Sequence, residues 1–114
     1  EDPYAYACLP IGKTPPAGIF ATVAEDEGLT LIARASVLRA AGIDPGPPFA
    51  RISLTVHSAL EAVGLTAALA RALADRGISA NVVAGFHHDH IFVGWDDRDA
   101  AVAALLALSG STGA

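Results

Sequence analysis

The stretch FARISLTVHSALEAVGLTAALARALADRGISANVVAGFHHDHIFVGWDDRDAAVAALLAL, residues 49–108, decides the fold. Ile52, Leu54 and Val56 alternate with Arg51, Ser53 and Thr55, the period-two signature of a half-buried strand. A polar loop through His57, Ser58 and Glu61 leads to Gly64. Leu65, Leu69 and Leu73 then recur at i, i+4 and i+8, which marks one face of a helix that Gly77 stops. Ile78–Phe86 reads as a strand, and Val82-Val83-Ala84 suggests burial on both of its faces. A polar tip, His87-His88-Asp89-His90, separates it from a strand at Ile91-Phe92-Val93. Asp96 or Asp97 caps a last helix, Arg98 to Leu108, with Val102, Leu105 and Leu106 expected inward.

Working outward, residues 4–9 read as a short strand ended by Pro10. A loop containing Gly12, Pro15, Pro16 and Gly18 follows. Ile19–Val23 and Leu29–Ala33 form a hairpin across Glu25-Asp26-Glu27-Gly28. Ala35–Ala41 is a short helix stopped by Gly42. Asp44-Pro45-Gly46-Pro47-Pro48 is a stiff connector and the best internal boundary. Two parts are expected, 1–48 and 49–114. The tail from Ser109 is expected to be loose.

Composition narrows the function classes. The 114 residues are 53% hydrophobic and 17% charged, which fits a packed core and excludes a disordered chain. Charged residues interrupt every apolar run before it could span a bilayer, so no membrane partner is expected. The net charge of −5 and the lack of a basic run speak against nucleic acid, whose affinity comes from counterion release. Cys8 is the only cysteine, so no intrachain disulfide can form. A cytoplasmic protein is expected. There is no signal-peptide pattern, but the chain opens on Glu1, which leaves open what precedes it.

Strand, helix, strand, strand, helix is a ferredoxin-like order lacking one strand. The class is α+β, with an antiparallel sheet and helices packed on one face. The N-terminal half is a candidate source of the missing neighbour.

Several segments carry a family resemblance: residues 60–69 (LEAVGLTAAL), residues 73–79 (LADRGIS), Asn81-Val82-Val83, and residues 88–93 (HDHIFV). Together they resemble the ACT domain, in particular small bacterial ACT-like proteins of unestablished function, which are similar to the tandem ACT modules of amino-acid sensors. Glu27-Gly28-Leu29-Thr30-Leu31 resembles the family's leading hairpin. The resemblance implies two ACT-like modules, the N-terminal one incomplete. It also implies a regulatory ligand sensor without catalysis or cofactor, and a dimer or other homo-oligomer. Its ligand would be a small molecule such as an amino acid, held by Val63, Gly64, Leu65 and Thr66 at the helix start and by Asn81, Val82 and Val83 on the facing strand. Val63 departs from the common pattern, in which proline precedes the glycine.

The residues themselves agree with part of this. A glycine at the helix start lets a ligand approach the backbone. The free N–H groups beyond it suit a carboxylate, and Thr66 adds a hydroxyl. Glu61 is a candidate acceptor for an α-amino group. The plainer reading, that Gly64 only permits tight packing and Glu61 is solvated, stays open.

The histidines offer a second reading. If His88-Asp89 form a two-residue turn, His87 and His90 face each other with Cβ atoms about 4.5–5.5 Å apart, close enough to share a metal ion with His57 or Asp89. His-Asp is a poor pair for such a turn, and no zinc spacing is present, so an exposed polar tip is the simpler expectation. Catalysis finds no support. His57 and Ser58 point to opposite faces of an extended chain, and no nucleophile elbow or phosphate loop occurs. A module that binds a protein partner, with no ligand, is the remaining alternative.

Overall fold

The computed structural model describes residues 2–55 and 64–112. It divides into two compact units, residues 1–49 and 50–114.

The first unit contains β1 (Tyr4–Leu9), β2 (Ala21–Glu25), β3 (Gly28–Arg34) and α1 (Ala35–Ala40). The strands are antiparallel in the order β2-β3-β1, with Ala7 opposite Leu31 and Val23 opposite Thr30. The alternation of each strand sends Ala5, Leu9, Leu31 and Ala33 to one face. There they bury against Leu38 of α1, with Val37 and Ile43 packed alongside. The other face carries aromatics: Tyr4 meets Phe20 edge-on at 5.8 Å, and the Arg34 guanidinium lies 4.8 Å from the Tyr4 ring centre.

At six residues, α1 is too short to hold itself by propensity. Arg34, its N-cap, makes no side-chain cap. Asp2 caps it instead from 34 residues away, its carboxylate accepting from the Ser36 hydroxyl at 2.6 Å and the Ser36 N–H at 3.4 Å. The hydroxyl bond is the main cause of the lowered Asp2 pKa. At the far end Gly42 takes a φ of 73° and the Ile43 N–H bonds the Leu38 carbonyl, a Schellman stop.

The second unit contains β4 (Phe49–Thr55, its first residue in the other unit), α2 (Leu65–Ala74), β5 (Ala80–Ala84), β6 (His88–Gly94), a 3₁₀ turn (Trp95–Asp97) and α3 (Arg98–Thr112). Its strand order is β4-β6-β5. The core joins Ala50, Ile91 and Val93 of the sheet to Leu69 and Leu73 of α2 and to Ala101, Ala104 and Leu105 of α3. Each unit thus has a first strand and a later hairpin whose second strand lies in the middle. In the first unit, residues 10–20 stand where the second has α2. The same Schellman stop ends α2, with Gly77 at φ 71° and Ile78 N–H on the Leu73 carbonyl.

Four expectations need correction. Residues 80–84 alone form β5, with Val82 and Val83 half-buried and Ala84 exposed, so the strand is not buried on both faces. The hairpin turns at Phe86-His87, closed by the Gly85 N–H on the His88 carbonyl at 2.9 Å. His90 therefore faces Val83, not His87. On α3, Ala101 and Ala104 point inward with Leu105, while Val102 and Leu106 are 41% and 66% exposed. An Ala- and Leu-rich helix carries little polar contrast to fix its face. That helix also continues through Ser109 to Thr112, beyond the expected end. Among the described residues, no helix is long and apolar enough to cross a membrane.

One close approach seats the β2–β3 hairpin against β1. A Cβ at Gly28 would lie 2.7 Å from the Leu9 carbonyl oxygen and 2.9 Å from Cys8 Sγ. Backbone cannot yield there, so Gly28→Ala is expected to cost about 1–3 kcal/mol, measured as a lowered urea midpoint.

In the second unit Ser53 Oγ lies 2.7 Å from His90 Nδ1, tying β4 to β6. Burial lowers the His90 pKa, and the charges of Arg51 and His88 lower it further, against the opposing pull of Asp89. Below pH about 6.5 the unfolded chain takes up a proton that the folded chain resists. Stability from this residue is whole above that pH and is lost as pH falls towards the lowered folded value. The slope of the urea midpoint between pH 7.5 and pH 5 should be shallower in His90→Asn than in the wild type.

Candidate functional site

The expected binding segment opens α2. Gly64 sits at φ 89°, in the left-handed region, and its carbonyl accepts the Ala68 N–H at 2.9 Å. A Cβ there would meet nothing within 4 Å, so the φ, not crowding, calls for glycine. Beyond it, among the described residues, the first turn of α2 has no side-chain cap and no acidic residue. Its first N–H groups have no partner inside the helix and carry the positive end of the helix dipole.

Of the candidate ligand residues, Gly64 and Thr66 are exposed at this helix start. Leu65 and Val82 each pack against the core cluster on the helix side of the sheet. Both side chains are partly buried there. Asn81 and Val83 lie on the other face of β5 by strand alternation, opposite Phe92 and His90 of β6. Asn81 is exposed and Val83 half-buried. Gly64, Leu65 and Thr66 stand together at the helix start, while β5 sends Val82 to the helix face and Asn81 and Val83 to the other. Glu61, Val63 and His57 lie outside the described residues.

The hairpin forms a second polar locus. His87 stacks edge-on against Phe86 at 5.0 Å, and Phe86 is 82% exposed. His88 and His90 share a face of β6, their ring centres 6.3 Å apart. Asp89 alternates to the helix face and is buried there. Among the described residues, no group of three or more histidine, cysteine, aspartate or glutamate side chains is arranged to hold a metal ion.

A third feature escaped the sequence reading. Ala68, Arg71 and Ala72 of α2 and Ala104, Ala107 and Leu108 of α3 line a shallow groove with Asp75 and Arg76 at its end. Alanines at i and i+4 on α2 are its sequence signal, though the same residues serve ordinary close packing. Its charges already have local partners. Arg71 lies 3.8 Å from Asp75, and Arg76 donates to the Ala72 carbonyl at 3.1 Å. Both members of the Arg71–Asp75 pair are largely exposed, so its contribution is small.

Known proteins extend this description. A crystal structure from Vibrio cholerae, described as a protein of unknown function and "Possible Transport Protein", is 43% identical. Its match covers 92% of this chain and 82% of that one, with a TM-score of 0.80. A protein from Agobacterium tumefaciens, 20% identical, shares the fold over 93% of this chain and 82% of its own, with a TM-score of 0.73. No curated protein matches. The model of the ACT domain matches residues 50–107, which hold the β4-β6-β5 sheet and most of both helices packed on it. That match and the near full-length relative agree with the α+β architecture, and the chain belongs to the ACT domain family.

Proposed function

We propose that this protein is a non-enzymatic regulatory module that binds a small carboxylate, an amino acid in the first instance, at the start of α2. The carrying observation is the first turn of that helix, which follows left-handed Gly64 and, among the described residues, has neither a side-chain cap nor an acidic residue. A carboxylate there would accept from backbone N–H groups and the Thr66 hydroxyl. Glu61 would receive the α-amino group, and Val63 and Leu65 would flank the ligand. The helix dipole contributes about 0.3–1 kcal/mol, so tight binding needs these further contacts. Asn81, Val82 and Val83 belong to the proposed site as its facing strand. Asn81 and Val83 serve it from the sheet's other surface, through a second copy of the chain.

The two units fit the reading of tandem ACT-like modules divided near Pro48, the first lacking the helix between its first strand and its hairpin. A cytoplasmic setting suits a chain with one cysteine. The competing reading is a module that docks a protein partner without a ligand. Val102 and Leu106, one helical turn apart and exposed on α3, favour it.

Screening the amino acids at millimolar concentration by thermal shift tests the proposal. A ligand present at 100 times its Kd should stabilise the protein by about 2.7 kcal/mol. Thr66→Glu places a carboxylate at the same donors. It should leave the apo protein as stable as before or slightly more so, and abolish the ligand-induced shift. No shift with any amino acid, or a shift that survives Thr66→Glu, defeats the proposal. Self-association in sedimentation without any ligand response would favour the docking reading.

A further inference from the structure

We propose that His88 and His90 form a two-imidazole site for a late first-row divalent ion, copper(II) in particular, on one face of β6. Residues two apart on a strand project side by side, and the observed register places these two on the face away from Ile91 and Val93. Their ring centres are 6.3 Å apart with planes inclined at 65°. An ion between them would take one nitrogen of each ring at roughly 2.0–2.1 Å, the length of an imidazole–metal bond.

The surroundings favour His90 as a ligand. Its Nδ1 is 2.7 Å from Ser53 Oγ. With Nδ1–H donating to that hydroxyl, Nε2 becomes the coordinating nitrogen, and the ring is oriented as ligating histidines usually are by a second hydrogen bond. Nε2 lies near Gly85, where a Cβ would come within 3.4 Å of it. His87 takes no part, because it belongs to the turn and stacks on Phe86. Asp89 is buried on the opposite face.

With two protein ligands the ion would retain water in its other positions. Such a site is open and exchangeable, unlike a closed structural one. Among divalent ions, imidazole nitrogen at such a site favours copper(II) most. The charge of Arg51, felt at His90, opposes the ion and limits affinity.

The test is calorimetric titration of the full chain, free of any histidine tag, with copper(II) at pH 7.5, together with electron paramagnetic resonance of the complex. One equivalent with nitrogen coordination is expected. His88→Ala and His90→Ala should each weaken binding more than about tenfold, the loss that removal of a supporting hydrogen bond alone can cause, and Ser53→Ala by about tenfold. Arg51→Ala should tighten it, and His87→Ala should leave it unchanged. His88 is exposed, so its variant tests the site without disturbing the core. The proposal is overturned if His88→Ala binds copper(II) like the wild type, if the spectrum lacks nitrogen ligands, or if His87→Ala abolishes binding.

Discussion

The pairing of Val82 with Ile91 across the β5–β6 hairpin is the constraint on which the second unit depends. Side chains on a strand alternate, so a slip of one residue would exchange the two faces completely. In the observed register Ala80, Val82, Ile91 and Val93 all meet the helices. Asn81, Val83, His88 and His90 are thereby sent to the other side. Phe86-His87 has no glycine at its centre. Among the described residues, no side chain other than glycine adopts a positive φ, so this is not a type I′ turn.

That division explains what could be read in advance. Ile52 and Leu54, the Leu65-Leu69-Leu73 stripe and the Gly77 stop declare their elements locally, and each agrees with the fold. The hairpin tip does not. Phe86 looks like a strand residue, and only the register reveals it as an exposed turn residue. The inward face of α3 was equally hidden, since Ala101 and Ala104 lie among so many other alanines. The Asp2 cap on α1 has no local signature either, because its partner stands 34 residues away. Pairings formed across such separations are set by tertiary structure, and no sequence window contains them.

The same logic separates the candidate site into legible and illegible parts. Gly64 could be read because a left-handed residue before an amphipathic helix leaves a mark in the sequence. The division of β5 between two faces could be read only in principle, since ANVVA alternates weakly. Its middle residues are apolar on both sides, and polarity alone does not say which of Val82 and Val83 meets the helices. Leu65 was likewise a site candidate by position, while its packing on the core gives it a structural task.

That structural task bears on how a small-molecule signal could leave the site. Leu65 is the first residue of α2 and already packs on the core cluster that includes Ile91 and Val93. A ligand held by the N–H groups of this turn would restrain the same residues that seat Leu65. Ordering the first turn would therefore bear on that cluster, of which Ile91 is a member. Ile91 adjoins His90, whose ring is tied to β4 through Ser53. The route from the helix start to the far face of the sheet is a short chain of packed neighbours and one hydrogen bond. Spatial continuity of this kind permits coupling without establishing it. The helix start and β6 share one core, which Leu65, Ile91 and Val93 all meet.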